Sequence, residues 1–272
     1  MELEGDNHEY NTLMEGIKYA VEEVRGSDLY NYLVDKIDQA KVPEMINVPD
    51  YLGGHAMPMV IYGLGSIQYS YAARFQLAFA VLLREVTGLK IDRDRVTICC
   101  DDITLNPIEE AFKAYGCKVV VVPEGRRFRW MVDEPTLFFL PFTRIEVLGD
   151  LLETNWCPSR LKRMMFLGRS LRSMAKILDP MVSTSTCDGG RSKMNVRKLT
   201  YVRDRLRYIW GIKEHSREFK IGDIISPINS KSQLGYSPQE MFEDMCWHVF
   251  SFDENINTIE DMDTLLPSKA GL

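Results

Sequence analysis

Apolar residues recur every three or four positions through the first segment: Tyr10, Leu13, Met14, Ile17, Ala20, Val21 and Val24, with Glu15, Lys18, Glu22 and Glu23 between them. That spacing predicts an amphipathic helix. Gly26-Ser27-Asp28 interrupts it, and Ser27 suits the N-cap of a second helix through Leu29, Leu33 and Ile37. Pro43, Pro49, Gly53, Gly54 and Pro58 then mark a linker, so residues 1–55 read as an N-terminal helical extension.

From Met59 the pattern changes to short apolar runs alternating with helical stretches. Strands are predicted at Met59–Tyr62, Val96–Cys100, Val119–Val122, Thr136–Leu140 and Met164–Leu167. Helices are predicted at Ile67–Val86, Pro107–Tyr115, Arg144–Glu153 and Leu171–Leu178. The first of these is apolar on most sides, as a helix packed beneath other segments and against a sheet must be. Fully apolar strands separated by helices predict an α/β fold: a Rossmann-like, doubly wound, mostly parallel sheet of five or more strands over residues 56–180. Right-handed crossovers leave few topologies for it.

After Pro180 the periodicity fades. Ser183–Arg197, rich in Ser, Thr and Gly, reads as a mobile loop; Leu199–Trp210 reads as a helix and Arg217–Ile221 as a strand. Ser237-Pro238-Gln239-Glu240 has the form of a helix start leading into Met241–Phe250. Phe242, Met245, Trp247 and Phe250 carry too much apolar area to remain in water, so residues 181–272 are expected to pack back onto the core.

Composition narrows the functional classes. The chain has 272 residues, 45% hydrophobic and 26% charged, which is ordinary for a folded protein. Its net charge of −6 gives no general attraction to nucleic acid or to anionic membrane. Six scattered cysteines without a CxxC pair, and an acidic, polar start at Met1-Glu2-Leu3-Glu4, fit reduced thiols in the cytoplasm or nucleus. No apolar run approaches the roughly 20 residues of a membrane-crossing helix, so a soluble protein is expected.

Several groups could carry chemistry. Gly63-Leu64-Gly65-Ser66 joins a strand to a helix, where glycines let backbone N–H groups approach a phosphate or adenosine group. The third glycine of a dinucleotide fingerprint is replaced by Gln68, and a tight turn alone would also explain the pair. Asp102 ends the second strand, where an acid can hold ribose hydroxyls or can simply cap the next helix. The four histidines, His8, His55, His215 and His248, lack metal-ligand spacing; His248, on the expected C-terminal helix, reads as a packed or hydrogen-bonded side chain. Cys99 and Cys100 read as core fillers and Cys187 as an exposed thiol. Arg126-Arg127-Phe128-Arg129-Trp130 could stack on bases, but in an acidic chain it reads as a solvated loop with its rings tucked onto the sheet. Ser66, Ser170 and Asp102 lack the elbow and histidine that a catalytic triad requires.

Phrases from Met57 to Phe252 resemble the Sensitivity-to-Red-light-Reduced family. They are Tyr62-Gly63-Leu64-Gly65-Ser66-Ile67 with Arg74-Phe75-Gln76-Leu77-Ala78, then Asp102, Pro107-Ile108-Glu109 and Gly116. Pro135–Pro141, Leu151–Trp156, and Phe242 with Trp247-His248 follow in the same order. The resemblance implies a regulatory protein, as a diverged plant member. Plant members look like regulators of circadian-clock input, phytochrome B light signalling and flowering. Animal members are linked to haem metabolism and rhythm, and a fungal relative to microtubule-related stress; no agreed reaction comes with the family. The chain departs from the family pattern at Asp102-Ile103, Pro141-Phe142-Thr143 and Gly168-Arg169-Ser170, all at strand ends. Pro141 and Ser170 therefore join Gly63, Gly65, Ser66 and Asp102 as candidate ligand-binding residues.

Two functional readings follow. The first is a non-enzymatic regulator with protein partners in a signalling pathway. The second is an enzyme or sensor that binds S-adenosylmethionine, a nucleotide or haem in a cleft at the strand carboxyl ends. The cofactor is unspecified by the sequence.

Overall fold

A computed structural model of the chain describes residues 2–38, 56–100, 106–122, 127–176, 193–221, 242 and 245–267. Five parallel strands form the centre: β1 (Met57–Tyr62), β2 (Ile91–Cys100), β3 (Lys118–Val121), β4 (Thr136–Leu140) and β5 (Met164–Arg169). β6 (Ser216–Lys220) and β7 (Met245–Phe250) complete a seven-stranded sheet of order β3-β2-β1-β4-β5-β7-β6, in which β7 is antiparallel to both neighbours. The expected α/β doubly wound sheet is present, with all five predicted strands in it.

The C-terminal run differs from expectation. Met245–Phe250 is a strand, not the end of a helix. All six residues of Met-Cys-Trp-His-Val-Phe are buried, so the segment has no polar face to turn to solvent and lies inside the sheet beside β5. Residues 193–197, expected in a loop, begin a long helix, while 183–192 fall outside the described residues.

Side chains of the central strands alternate between two cores. Met59, Ile61, Leu137, Phe139, Leu167 and Trp247 face one. Val60, Tyr62, Phe138, Leu140, Phe166 and Phe250 face the other. Helix α3 (Tyr71–Leu83) covers the first face and is buried from Phe75 through Leu83. It is apolar on every side because α1 (Glu2–Arg25) lies over it, contributing Leu13, Ile17, Ala20 and Val24 to the same core. Ser27 interrupts the N-terminal helices as expected: its hydroxyl accepts from the Tyr30 N–H at 3.2 Å and opens α2 (Asp28–Asp38). Tyr71 hydroxyl donates to Glu23, and Arg25 makes a bidentate pair with Glu85, so α1 is tied to both ends of α3. Helix α4 (Asn106–Ala114) completes this layer through Ala111 and Phe112.

The opposite layer is built from α5 (Ile145–Thr154), α6 (Pro158–Leu161), α7 (Lys193–Ile212) and α8 (Ile259–Thr264). α5 and α7 pack closely through Gly149: a Cβ there would lie 2.5 Å from Arg205 Cβ and 2.7 Å from its carbonyl oxygen. The close approach buries Arg205, whose Nε lies 2.8 Å from Asp150 and whose NH1 group lies 2.7 Å from Glu153. Tyr201 hydroxyl donates to Asp150 at 2.6 Å, and Tyr208 hydroxyl to Glu153 at 3.2 Å. Asp150 Oδ1 and Arg205 Nε are held close without hydrogen-bond geometry, so the pair acts as a buried charge contact, flanked by the two tyrosine hydroxyls, that fixes which helix faces meet.

Gly149→Ala should therefore destabilise the fold by about 1–3 kcal/mol, against the usual gain from replacing a helical glycine. Chemical denaturation checks this; an equal or raised midpoint would refute the close-packing account.

Candidate functional site

The carboxyl ends of the parallel strands carry the candidate site. Gly63 and Gly65, just after β1, have φ of +82° and +73°, a conformation that glycine adopts without strain. Their roles differ. A Cβ on Gly63 would lie 3.0 Å from both the N and Oγ1 of Thr143, in the loop after β4. Phe142 N–H donates to Gly63 carbonyl at 3.2 Å, and Thr143 hydroxyl donates to Tyr62 carbonyl at 3.3 Å. Gly63 thus stitches the end of β1 to that of β4. Gly65 has no atom within 4 Å of its Cβ position and is exposed.

Beside Gly65 lies a cavity of about 330 Å³. Residues 63–69 form one wall, Ile98, Cys99 and Cys100 of β2 another, and Ile108 and Phe112 of α4 a third. Burial pushes the Cys99 thiol up to about 12, so it lines the cavity as a neutral, apolar group. Gln68 Oε1 is buried without a hydrogen-bond partner, an acceptor available to an occupant. Tyr69 stands at the mouth, 81% exposed.

Helix α3 starts at Tyr71, four residues later than the sequence pattern predicts. Ser70 caps it by accepting from Ala73 N–H at 3.2 Å, and Arg74 donates to the carbonyls of Ile67 and Gln68 at 3.0 Å each. The glycine loop is therefore separated from the helix N-terminus. It contributes open space and backbone, without the direct helix-dipole contact that a shorter turn would give.

A second cavity, of about 300 Å³, lies on the other side of the Gly63–Thr143 stitch. Phe142, Thr143 and Arg144 line it with Glu146, Arg169 and Met174. In a sheet of this order the connection reverses direction between β1 and β4, the place where doubly wound folds open a crevice. Here the stitch closes the middle of that crevice and leaves a cavity on either side.

Gly63, Gly65 and Ser66 come together on the first cavity. Asp102 lies outside the described residues, two positions beyond the cavity-lining Cys100. Pro141, the first residue after β4, is buried. Ser170 is 4% exposed; its hydroxyl donates to Glu218 at 2.7 Å and accepts from Ser173 N–H at 3.1 Å, capping the helical residues 171–176. Two departures from the family pattern, Phe142-Thr143 and Arg169, meet on the second cavity. In the aromatic–basic run, Phe128 is buried with its ring 4.9 Å from that of Tyr62, and Arg127 pairs with Glu153 at 3.3 Å; Arg126 lies outside the described residues.

One arrangement has no clear signal in the sequence. His248 lies on β7 opposite Phe166 of β5 and Glu218 of β6, and is 1% exposed. Its Nδ1 lies 3.3 Å from Ser216 Oγ and 3.7 Å from Glu218 Oε1. Glu218 is itself held by Ser170 hydroxyl and by Arg172 N–H, the latter at 3.1 Å. Burial pulls the His248 pKa down to about 4, and the opposing effect of Glu218 and of the backbone at Arg169 and Gly168 is smaller. The ring is neutral at pH 7. Only the tertiary pairing of β6 with β7 brings the acid and the histidine together.

Among the described residues no group of three or more His, Cys, Asp or Glu side chains could hold a metal ion. No described helix is long and apolar enough to cross a membrane.

Two predictions follow from this geometry. Alanine at either glycine must adopt a left-handed backbone, at about 1–2 kcal/mol, but at Gly63 it must also displace Thr143. Gly63→Ala should lower the melting temperature clearly more than Gly65→Ala; equal losses would show that Gly63 does not join β1 to the loop after β4. The second concerns pH. Because the folded pKa of His248 lies below its ordinary 6.5, the unfolded chain takes up the proton first. Its contribution to stability is complete above pH 6.5 and is lost as pH falls toward 4. His248→Phe should therefore lose less stability than the unaltered protein between pH 7 and pH 5, by on the order of 1–2 kcal/mol. Parallel melting curves for the two would refute the assignment.

Comparison with known proteins places this architecture. The SRR1 domain pattern matches residues 50–249, which spans all seven strands except Phe250, the last residue of β7. The Arabidopsis thaliana protein SENSITIVITY TO RED LIGHT REDUCED 1 is 28% identical over 173 residues, covering 63% of this chain and 60% of that protein. A Mus musculus SRR1-like protein is 28% identical over 119 residues, 44% of this chain and 46% of that one. The chain thus spans less than two thirds of the length of either relative, and the likeness extends to an animal as well as a plant. This chain belongs to the SRR1 domain family.

Proposed function

We propose that this protein is a regulator in a red-light signalling pathway that binds a small, adenosine-bearing ligand and acts on protein partners in the cytoplasm or nucleus. The observation that carries the ligand is the cavity of about 330 Å³ at the ends of β1 and β2. It has the size of a small-molecule site, mostly apolar walls and a few polar groups. Ile98, Ile108 and Phe112 suit a flat base, and Gln68 Oε1 offers an acceptor to an amino or hydroxyl group. The open face of Gly65 admits the sugar or its substituent, and Asp101-Asp102 follow β2 where ribose hydroxyls are held in related sheets. The pathway is supported by the name of the Arabidopsis relative, which describes sensitivity to red light.

One observation favours such a ligand at this edge. The strand order β3-β2-β1-β4-β5 is that of doubly wound nucleotide-binding sheets, with its switch point between β1 and β4. Fold likeness alone does not assign chemistry, and binding without turnover remains the reading here.

Thermal shift with S-adenosylmethionine, S-adenosylhomocysteine, ATP, adenosine and haem tests the ligand. An adenosine compound at ~100 times its dissociation constant should stabilise by about 2.7 kcal/mol. Gly65→Asn tolerates the left-handed backbone while filling the cavity mouth, so it should abolish that shift with little change in the unliganded melt. No shift with any adenosine compound would refute the ligand. Failure of the unaltered chain to restore the red-light response of an Arabidopsis line lacking the relative would refute the pathway. Methyl transfer abolished by Asp102→Asn would replace the regulator with an enzyme.

A further inference from the structure

We propose that Tyr69 is a binding residue of the first cavity, whose ring turns over the mouth and stacks on a planar ring of the bound ligand. This rests on the reading of that cavity as an adenosine site and adds the group that selects a flat, aromatic occupant.

The cavity of about 330 Å³ has walls on the inner side that are committed to the fold. Ile98 of β2 and Phe112 of α4 are buried in the first core, Ile108 packs against it, and Cys99 belongs to the second. A flat ring lying against them has one face covered and the other toward the mouth. Gly65 leaves that side open, with no atom within 4 Å of its Cβ position. Gly65 and Ser66, both exposed at the mouth, are too small to cover a ring. Tyr69 is large enough.

Three features set Tyr69 apart. At 81% exposure it is the most exposed large apolar side chain among the described residues. A lone exposed ring is common on protein surfaces, but this one lines a cavity. Its side chain also has no hydrogen bond, ion pair or ring contact among the described residues. Tyr71, two residues on, differs: its hydroxyl donates to Glu23 and holds α1 against α3.

The third feature is the backbone on either side. Ser70 N–H donates to Ser66 carbonyl at 2.9 Å, and Arg74 donates to the carbonyls of Ile67 and Gln68 at 3.0 Å each. The Cα of Tyr69 is thereby held at the mouth, and the ring moves by its two side-chain torsions alone. Fixing two torsions costs little entropy, so a tyrosine gains contact area cheaply when it closes on a partner. A sugar, a phosphate or an aliphatic chain gains nothing specific from a π face. A purine or other planar heteroaromatic gains contact on both of its faces.

Calorimetric titration of the full chain with adenosine, adenine and indole tests this, using Tyr69→Phe, Tyr69→Leu and Tyr69→Ala. All three variants should keep the unliganded melting temperature nearly unchanged, because the side chain is exposed and unpartnered. Tyr69→Ala should weaken binding of the planar probes by about 10- to 100-fold. Tyr69→Leu should lose nearly as much, and Tyr69→Phe should bind like the unaltered chain. The proposal is overturned if Tyr69→Ala or Tyr69→Leu binds as tightly as the unaltered chain, if Tyr69→Ala clearly lowers the unliganded melt, or if no planar probe binds. Adenosine bound equally by Tyr69→Ala would remove Tyr69 and leave the adenosine site standing. Binding of indole or adenine that depends on Tyr69, with adenosine excluded, would do the reverse.

Discussion

Burial of the central strands on both faces is the constraint from which the rest of this structure follows. All five residues of β4 are buried, as are five of six in β1 and in β5. Strands without a polar face need a helical layer on each side, and a parallel sheet acquires those layers through its own crossovers. On one side a single layer is insufficient. α3 is itself apolar all round, so α1 must cover it in turn, and the N-terminal helices share one continuous core with the sheet. On the other side the layer is fixed by polar contacts. Arg205, Asp150, Glu153, Tyr201 and Tyr208 specify how α5 meets α7 where Gly149 lets the backbones approach.

The same constraint leaves the carboxyl edge as the place for ligands. Strand residues are committed to packing, whereas the loops after β1, β4 and β5 have side chains and backbone groups free of the two cores. Within that edge, Gly63 serves the fold and Gly65 serves the cavity, although they share a left-handed backbone. The distinction is one of surroundings: Thr143 fills the space beside Gly63, and open space lies beside Gly65. The β1–β4 crevice expected of this strand order is closed by Thr143 and Phe142, which leaves one mostly apolar cavity and one lined by Phe142, Thr143, Arg144, Glu146 and Arg169. β7 adds a third component by carrying a neutral, buried histidine to the edge of the second cavity.

How much of this was legible in the sequence varied with the kind of interaction. The β1, β4 and β5 runs are consecutive apolar residues bounded by glycine, proline or charge, and they were found within a few residues of their ends. Met245–Phe250 was misjudged because a short apolar run fits a buried helix turn as well as a strand, and the preceding Ser-Pro-Gln-Glu supplied a helix signal. The apolar period predicts a start of α3 at Ile67, whereas Ser70 caps the helix three residues later. Its place at a strand end makes Ser170 a ligand-binding candidate on sequence alone. Its hydroxyl instead joins the cap of the following helix to Glu218, a residue distant in the chain.

The sequence by itself determined the α/β class, the five parallel strands, the paired N-terminal helices and the glycine loop at the first cavity. Each depends on side-chain type at a short, regular spacing, and that information is local. Tertiary structure alone decided the insertion of β7 between β5 and β6, the closing of the β1–β4 crevice and the meeting of His248 with Glu218 and Ser216. These rest on pairings between segments tens of residues apart, chosen by which arrangement buries every apolar strand face while leaving the fewest polar groups without partners. No local pattern encodes that choice, because the same short segment would satisfy its own preferences in several of the alternatives.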